Sequence, residues 1–171
     1  MKVSDLLAGV HVAVVTPFNK KGDIHWDAFE KHLTWLSENG VQGFVPCGTT
    51  GEGSTLKREE WRQLIQLSCQ VAKKRNLTVT AGCGSNSTAV VLELMQEAEE
   101  LGARAALVVT PYYNKPTSRG LIAHYEFLAT HSTLPIVLYN VPSRTGVSLT
   151  LDTLAVLFEN PQIIGIKEAS G

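Results

Sequence analysis

The sequence predicts an α/β fold, a (β/α)8 TIM barrel of which the chain supplies roughly the first six strands. Three observations carry this. Short β-branched apolar runs alternate with stretches of helical period, at roughly 30 residues per unit. The runs are apolar throughout, as in parallel strands covered by helices. The unusual polar residues all follow the C-terminal ends of strands: Thr49 and Thr50, Tyr112 and Tyr113, Tyr139 and Arg144, and Lys167. In a barrel those ends converge on one face, where active sites lie. An open doubly wound sheet fits the repeat spacing equally well. It would favour a glycine fingerprint after the first strand, and none stands there.

Taken in order, Val10 to Val15 is a β-branched run ending at Thr16-Pro17 and predicts the first strand. Trp26 to Asn39 carries Phe29, Leu33 and Leu36 on one helical face, with Gly40 as the stop. Gly43 to Pro46 is a short second strand, followed by the glycine- and hydroxyl-rich loop Gly48 to Thr55. A helix follows from about Lys57 to Lys73, with Glu59 and Glu60 in its first turn, where the helix dipole favours acids. Leu77 to Ala81 is the third strand; Ser87 or Thr88 caps a helix to Leu101, and Gly102 ends it. Ala105 to Val109 is the fourth strand, and Ser118 to Thr130 the next helix. Pro135 to Leu138 is the fifth strand, Thr150 caps a short helix to Glu159, and the run after Asn160-Pro161 is the sixth.

Composition narrows the function. The chain has 171 residues, with 15 basic against 16 acidic side chains, so no nucleic-acid footprint or membrane-surface patch is expected. No apolar run approaches the roughly 20 residues of a membrane span. Met1 to Asp5 lacks the opening of a signal peptide, so a cytoplasmic protein is expected. Cys47, Cys69 and Cys83 are odd in number and widely spaced, which suits a reducing compartment and forms no zinc pattern. The histidines have no HExxH spacing, and no metal or cofactor is expected.

Lys167 carries the chemistry. At the tip of a buried strand, desolvation disfavours its ammonium form, and a free amine can attack a ketone to form a Schiff base. The plainer alternative is a lysine that snorkels to the surface. The Gly48 to Thr55 loop has two glycines at P-loop spacing, but Ser54 stands where that motif needs lysine. It reads better as backbone N–H groups plus hydroxyls suited to a carboxylate, or as an ordinary βα turn. Gly82-Cys83-Gly84 lacks the third glycine of a dinucleotide fingerprint. Tyr139 fits a core aromatic, Tyr112 and Tyr113 surface or interface aromatics, and Arg144 a solvated loop charge. An amine, hydroxyls and a guanidinium on one face favour a site instead.

GTTGE at Gly48–Glu52, TPYYNKP at Thr110–Pro116, LYNVPSRTG at Leu138–Gly146 and IIGIKEASG at Ile163–Gly171 closely resemble the dihydrodipicolinate synthase family, within the pyruvate-dependent class I aldolase superfamily that includes N-acetylneuraminate lyase. The resemblance covers the whole chain in matching order. It implies a barrel assembled as a homotetramer, a dimer of tight dimers, and a lyase of lysine biosynthesis through diaminopimelate. It implies that pyruvate condenses with L-aspartate 4-semialdehyde on a lysine Schiff base. Lys167 matches the Schiff-base lysine and Tyr139 the tyrosine that shuttles protons. Thr49 matches the threonine linking that tyrosine to a second one, and Tyr113 matches the second, which in the family reaches into the neighbouring subunit's site. Thr50 matches a residue at the pyruvate carboxylate, and Arg144 the arginine that receives the carboxylate of the semialdehyde. Arg144 also separates the synthases from sugar-acid aldolases, which tend to lack it. The alternatives are another pyruvate-dependent aldolase, cleaving N-acetylneuraminate or a 2-keto-3-deoxy sugar acid, and a non-catalytic remnant.

Two departures follow. Lysine-inhibited members line an interface pocket with histidine and glutamate, where this chain has Arg58, Trp61 and Val90, with Asn86 and Tyr112 retained; weak or absent feedback by lysine is expected. A complete barrel takes about 250 residues. Residues 1–171 are therefore expected to form one partial barrel domain, a fragment of a longer enzyme or one completed by another chain.

Overall fold

A computed structural model describes residues 6–171, which fall into two units. The expectation about Met1 to Asp5 lies outside the described residues. The first unit runs to Gly82 and includes Glu97–Arg104. Its strands β1 (His11–Ala13), β2 (Gly43–Val45) and β3 (Thr78–Gly82) pair in parallel, His11 with Gly43 and Gly43 with Thr78. β1 is shorter than its apolar run: Val10 and Val15 flank it and are exposed, because β2 offers three residues to pair with.

Helix α1 (Trp26–Glu38) buries Phe29, Leu33 and Leu36, the face predicted, and the chain leaves it through Gly40 at φ +83. Helix α2 (Arg58–Arg75) opens with the Glu60 carboxylate accepting the Lys57 backbone N–H at 2.8 Å. It runs two residues beyond Lys73 because Asn76, in the left-handed region, caps it where glycine is the usual choice. Gly53 of the loop and Gly82 at the end of β3 have a packing reason. A Cβ on Gly53 would lie 2.0 Å from the Cys47 carbonyl oxygen, and one on Gly82 2.2 Å from the same atom. These glycines let three stretches of backbone meet, which accounts for them without a bound nucleotide.

The second unit comprises Cys83–Gln96 and Ala105–Gly171. Helix α3 (Thr88–Glu100) begins in this unit, its last turn counting with the first; β4 (Ala105–Val109), α4 (Ser118–His131), β5 (Ile136–Asn140), a one-turn helix α5 (Pro142–Thr145), α6 (Leu151–Leu157) and β6 (Ile163–Glu168) follow. β4, β5 and β6 are parallel, with Val109 opposite Tyr139 and Tyr139 opposite Lys167. The Thr117 and Thr150 hydroxyls cap α4 and α6 by accepting the Gly120 and Thr153 N–H groups. The core holds Tyr125, fully buried, whose hydroxyl donates to the Val108 carbonyl at 3.1 Å. Its polar end is thus satisfied, as buried hydroxyls require. Among the described residues no helix is long and apolar enough to cross a membrane.

His124 gives this unit an acid-sensitive point. It is buried on α4, its Nδ1 sits 2.8 Å from the Thr88 hydroxyl, and burial pulls its pKa from 6.5 down to about 4. The folded state therefore holds a neutral ring that the unfolded chain protonates below pH 6.5. Its contribution is fully present above that pH and is lost as pH falls through about 4. The full effect is up to about 3 kcal/mol. Urea titrations at pH 7 and pH 4.5 should show a steep acid loss, and His124→Gln should flatten it. An unchanged acid limb in that variant would contradict the assignment.

Candidate functional site

The last two strand pairs of the β5–β6 ladder build the candidate site. Tyr139 and Lys167 are opposite one another, and Asn140 faces Glu168 one step further on. Paired residues of parallel neighbours point to the same face, so the tyrosine ring and the lysine amine meet. Lys167 Nζ lies 4.3 Å from the Tyr139 ring centroid, within cation–π distance. Tyr139 is buried and Lys167 half-buried, so the amine stands at the boundary of core and solvent. Polar residues at 139 and 140 read as loop in the sequence. The ladder with β6 draws them into the strand instead.

The turn after β5 carries Arg144. It is the one-turn helix α5, which sequence reading missed although Val141-Pro142 is a signal, since proline suits the first helical position. Arg144 is exposed on it, while the Thr145 hydroxyl beneath donates to the Val147 carbonyl at 2.9 Å. The loop after β4 carries Tyr112, half-buried, and Tyr113, 88% exposed and held at φ +70. A tyrosine in the left-handed region is uncommon and marks local strain of the kind found at functional loops. In the same loop the Asn114 amide donates to the Asn86 carbonyl at 2.9 Å.

Thr49 and Thr50 belong to the first unit, exposed at the C-terminal end of β2. Their loop is anchored from the segment after β1, where the Thr16 hydroxyl donates to the Gly51 carbonyl at 2.7 Å. Within the second unit Lys167 and Tyr139 are in contact, Tyr113 lies on the loop after β4 and Arg144 on the turn after β5; within the first unit the threonines follow β2. All three cysteines are buried, and burial pushes the Cys47 thiol well above its usual range, which suits a packing group rather than a nucleophile.

Parallel βα units with their polar side chains gathered after the strand ends define the (β/α)8-barrel class, of which this chain supplies roughly the first six strands. A solved dihydrodipicolinate synthase from Acinetobacter baumannii, chloride-inhibited and complexed with pyruvate, superimposes with a TM-score of 0.92 at 51% identity. That match covers 95% of this chain and 55% of the other. The model of the dihydrodipicolinate synthetase family matches residues 6–171, and the chain belongs to that family. Its curated relatives include the 4-hydroxy-tetrahydrodipicolinate synthases of Thermodesulfovibrio yellowstonii and Rhizobium meliloti. The first is 52% identical over 166 residues, 97% of this chain and 56% of that protein. The second is 47% identical over 160 residues, 93% and 54% respectively. The chain spans about half the length of the curated relatives it matches.

Proposed function

We propose that the protein is a 4-hydroxy-tetrahydrodipicolinate synthase, condensing pyruvate with L-aspartate 4-semialdehyde, and that residues 1–171 act in it as one partial-barrel domain. The observation that carries this is Lys167 Nζ against the Tyr139 ring at matched positions of two parallel strands. The Lys167 amine attacks the ketone carbon of pyruvate, water leaves, and an iminium forms. The iminium withdraws electrons, a methyl proton departs, and the resulting enamine attacks the aldehyde. Ring closure by the substrate amine then expels the lysine nitrogen. Tyr139 passes protons at the iminium, with Thr49 linking it to Tyr113. Thr50 holds the pyruvate carboxylate, and Arg144 pairs with that of the semialdehyde, a charge-assisted contact suited to a guanidinium.

The homotetramer, in which Tyr113 serves a neighbouring subunit, and the cytoplasmic location belong to the same proposal; the exposed, strained Tyr113 supports the former. Arg144 favours the synthase over a sugar-acid lyase. In a direct assay, condensation with aspartate semialdehyde should outrun cleavage of N-acetylneuraminate by at least ~10²-fold, a margin of about 3 kcal/mol in transition-state binding. The reverse order would replace the synthase with the lyase.

Feedback by lysine is proposed to be weak or absent. Arg58 lies over the Trp61 ring at 5.1 Å and pairs with Glu97 at 2.5 Å, while the Trp61 indole N–H donates to the Gly82 carbonyl. Arg58 and Trp61 are thus engaged with each other, and Val90 offers no carboxylate for an incoming ammonium group. Addition of lysine to the same assay should leave the rate unchanged through the millimolar range; sub-millimolar inhibition would contradict this.

A further inference from the structure

The β5–β6 ladder has a register problem, and its solution lies beside the candidate site. Ile136 pairs with Ile163, but Val137 pairs with Gly165, so β6 carries one extra residue, Ile164. Beyond this bulge Tyr139 meets Lys167. Without it Tyr139 would meet Ile166, and Lys167 would turn to the opposite face, because side chains alternate. Both registers pair every residue of β5, so the β5 backbone alone does not choose between them. Something beyond the bulge must.

Asn140 is placed to do so. It is 2% exposed, an unusual setting for a residue type depleted in strands. Its amide nitrogen donates to both Glu168 oxygens, at 3.0 and 2.9 Å. Its amide oxygen accepts the Leu149 backbone N–H at 3.0 Å, and its carbonyl accepts the Ala169 N–H at 2.9 Å. Glu168 also accepts the Ser170 N–H at 2.8 Å. Every polar group of the asparagine side chain is used, and the bonds to the carboxylate are charge-assisted. In the slipped register Asn140 would face Lys167, which offers it no acceptor. Asn140 and Glu168 also lie on the sheet face opposite Tyr139 and Lys167, so the pair holds the site without entering it. The bond to Leu149 closes the turn that carries Arg144.

We propose that Asn140 is a positioning residue: through Glu168 it fixes the register of β6 that sets Lys167 against Tyr139, and through Leu149 it sets the turn bearing Arg144. This rests on the function proposed above. It predicts a pattern rather than a simple loss. Asn140→Asp keeps the acceptor for Leu149 but opposes two carboxylates across the strands. In the native protein it should lower kcat by about 10²-fold, the scale of an ångström's misplacement, and leave KM for the semialdehyde within about twofold. The double change Asn140→Asp/Glu168→Gln again faces a donor with an acceptor and should recover to within about threefold of native kcat. Asn140→Ala removes both attachments and should raise KM for the semialdehyde as well as lower kcat. Amide exchange at Ser170 should quicken in Asn140→Asp and slow again in the double variant. Asn140→Asp with native kcat, or a double variant no better than the single, overturns the register lock. If the native protein traps no pyruvate under borohydride, the functional reading fails first and the inference falls with it, a result distinct from a native adduct that Asn140→Asp leaves undiminished.

Discussion

Lys167→Met is expected to lower the rate of condensation by at least ~10³-fold, about 4 kcal/mol of transition-state stabilisation. No other group on the β5–β6 ladder's final pairs can form the covalent bond to pyruvate: Tyr139, Asn140 and Glu168 are not amines. Methionine has a similar length and suits a half-buried strand position, so stability should change by less than about 1.5 kcal/mol. The two quantities must be measured together. A variant that melts like the native protein yet makes no product locates the defect in the chemistry. Product at the ordinary rate would remove the amine from the mechanism altogether.

Tyr139→Phe should lower kcat by about 10²-fold, at the lower end of what a positioned proton-transfer group supplies. The change keeps the buried ring that lies against Lys167 Nζ and removes only the hydroxyl. KM for pyruvate should therefore move little, and pyruvate should still be trapped on the lysine, only more slowly. Rapid-quench measurement of adduct formation separates this step from the later condensation. A kcat within threefold of native would reduce Tyr139 to a wall of the site.

The sequence made the second unit more legible than the first. β4 coincides with its apolar run at both ends, because Ala105 to Val109 is buried almost throughout and bounded by clear breakers. The sequence overextends β1, since β-branched Val10 and Val15 are strand-like in type yet exposed and outside the β1–β2 register. β5 was cut short by two residues for the opposite reason, as tertiary pairing with β6 overrode the polar character of Tyr139 and Asn140. The chemistry proposed for Lys167 rests on its place near the tip of β6, a place the sequence shows. The bulge at Ile164 and the Asn140–Glu168 contact could not, because a register exists only between two strands and no single strand encodes it. An asparagine at the end of an apolar strand and a glutamate after the lysine were the available hints. Gly53 of the Gly48 loop shows the converse: a glycine in a motif resembling phosphate-binding loops that answers to crowding around the Cys47 carbonyl oxygen.

Borohydride reduction of the native protein in the presence of pyruvate, followed by peptide mapping, tests the central claim most directly. One reduced pyruvate per chain is expected, attached to Lys167 and absent when pyruvate or borohydride is omitted. No adduct, or an adduct on another lysine such as Lys115 in the loop after β4, would contradict it.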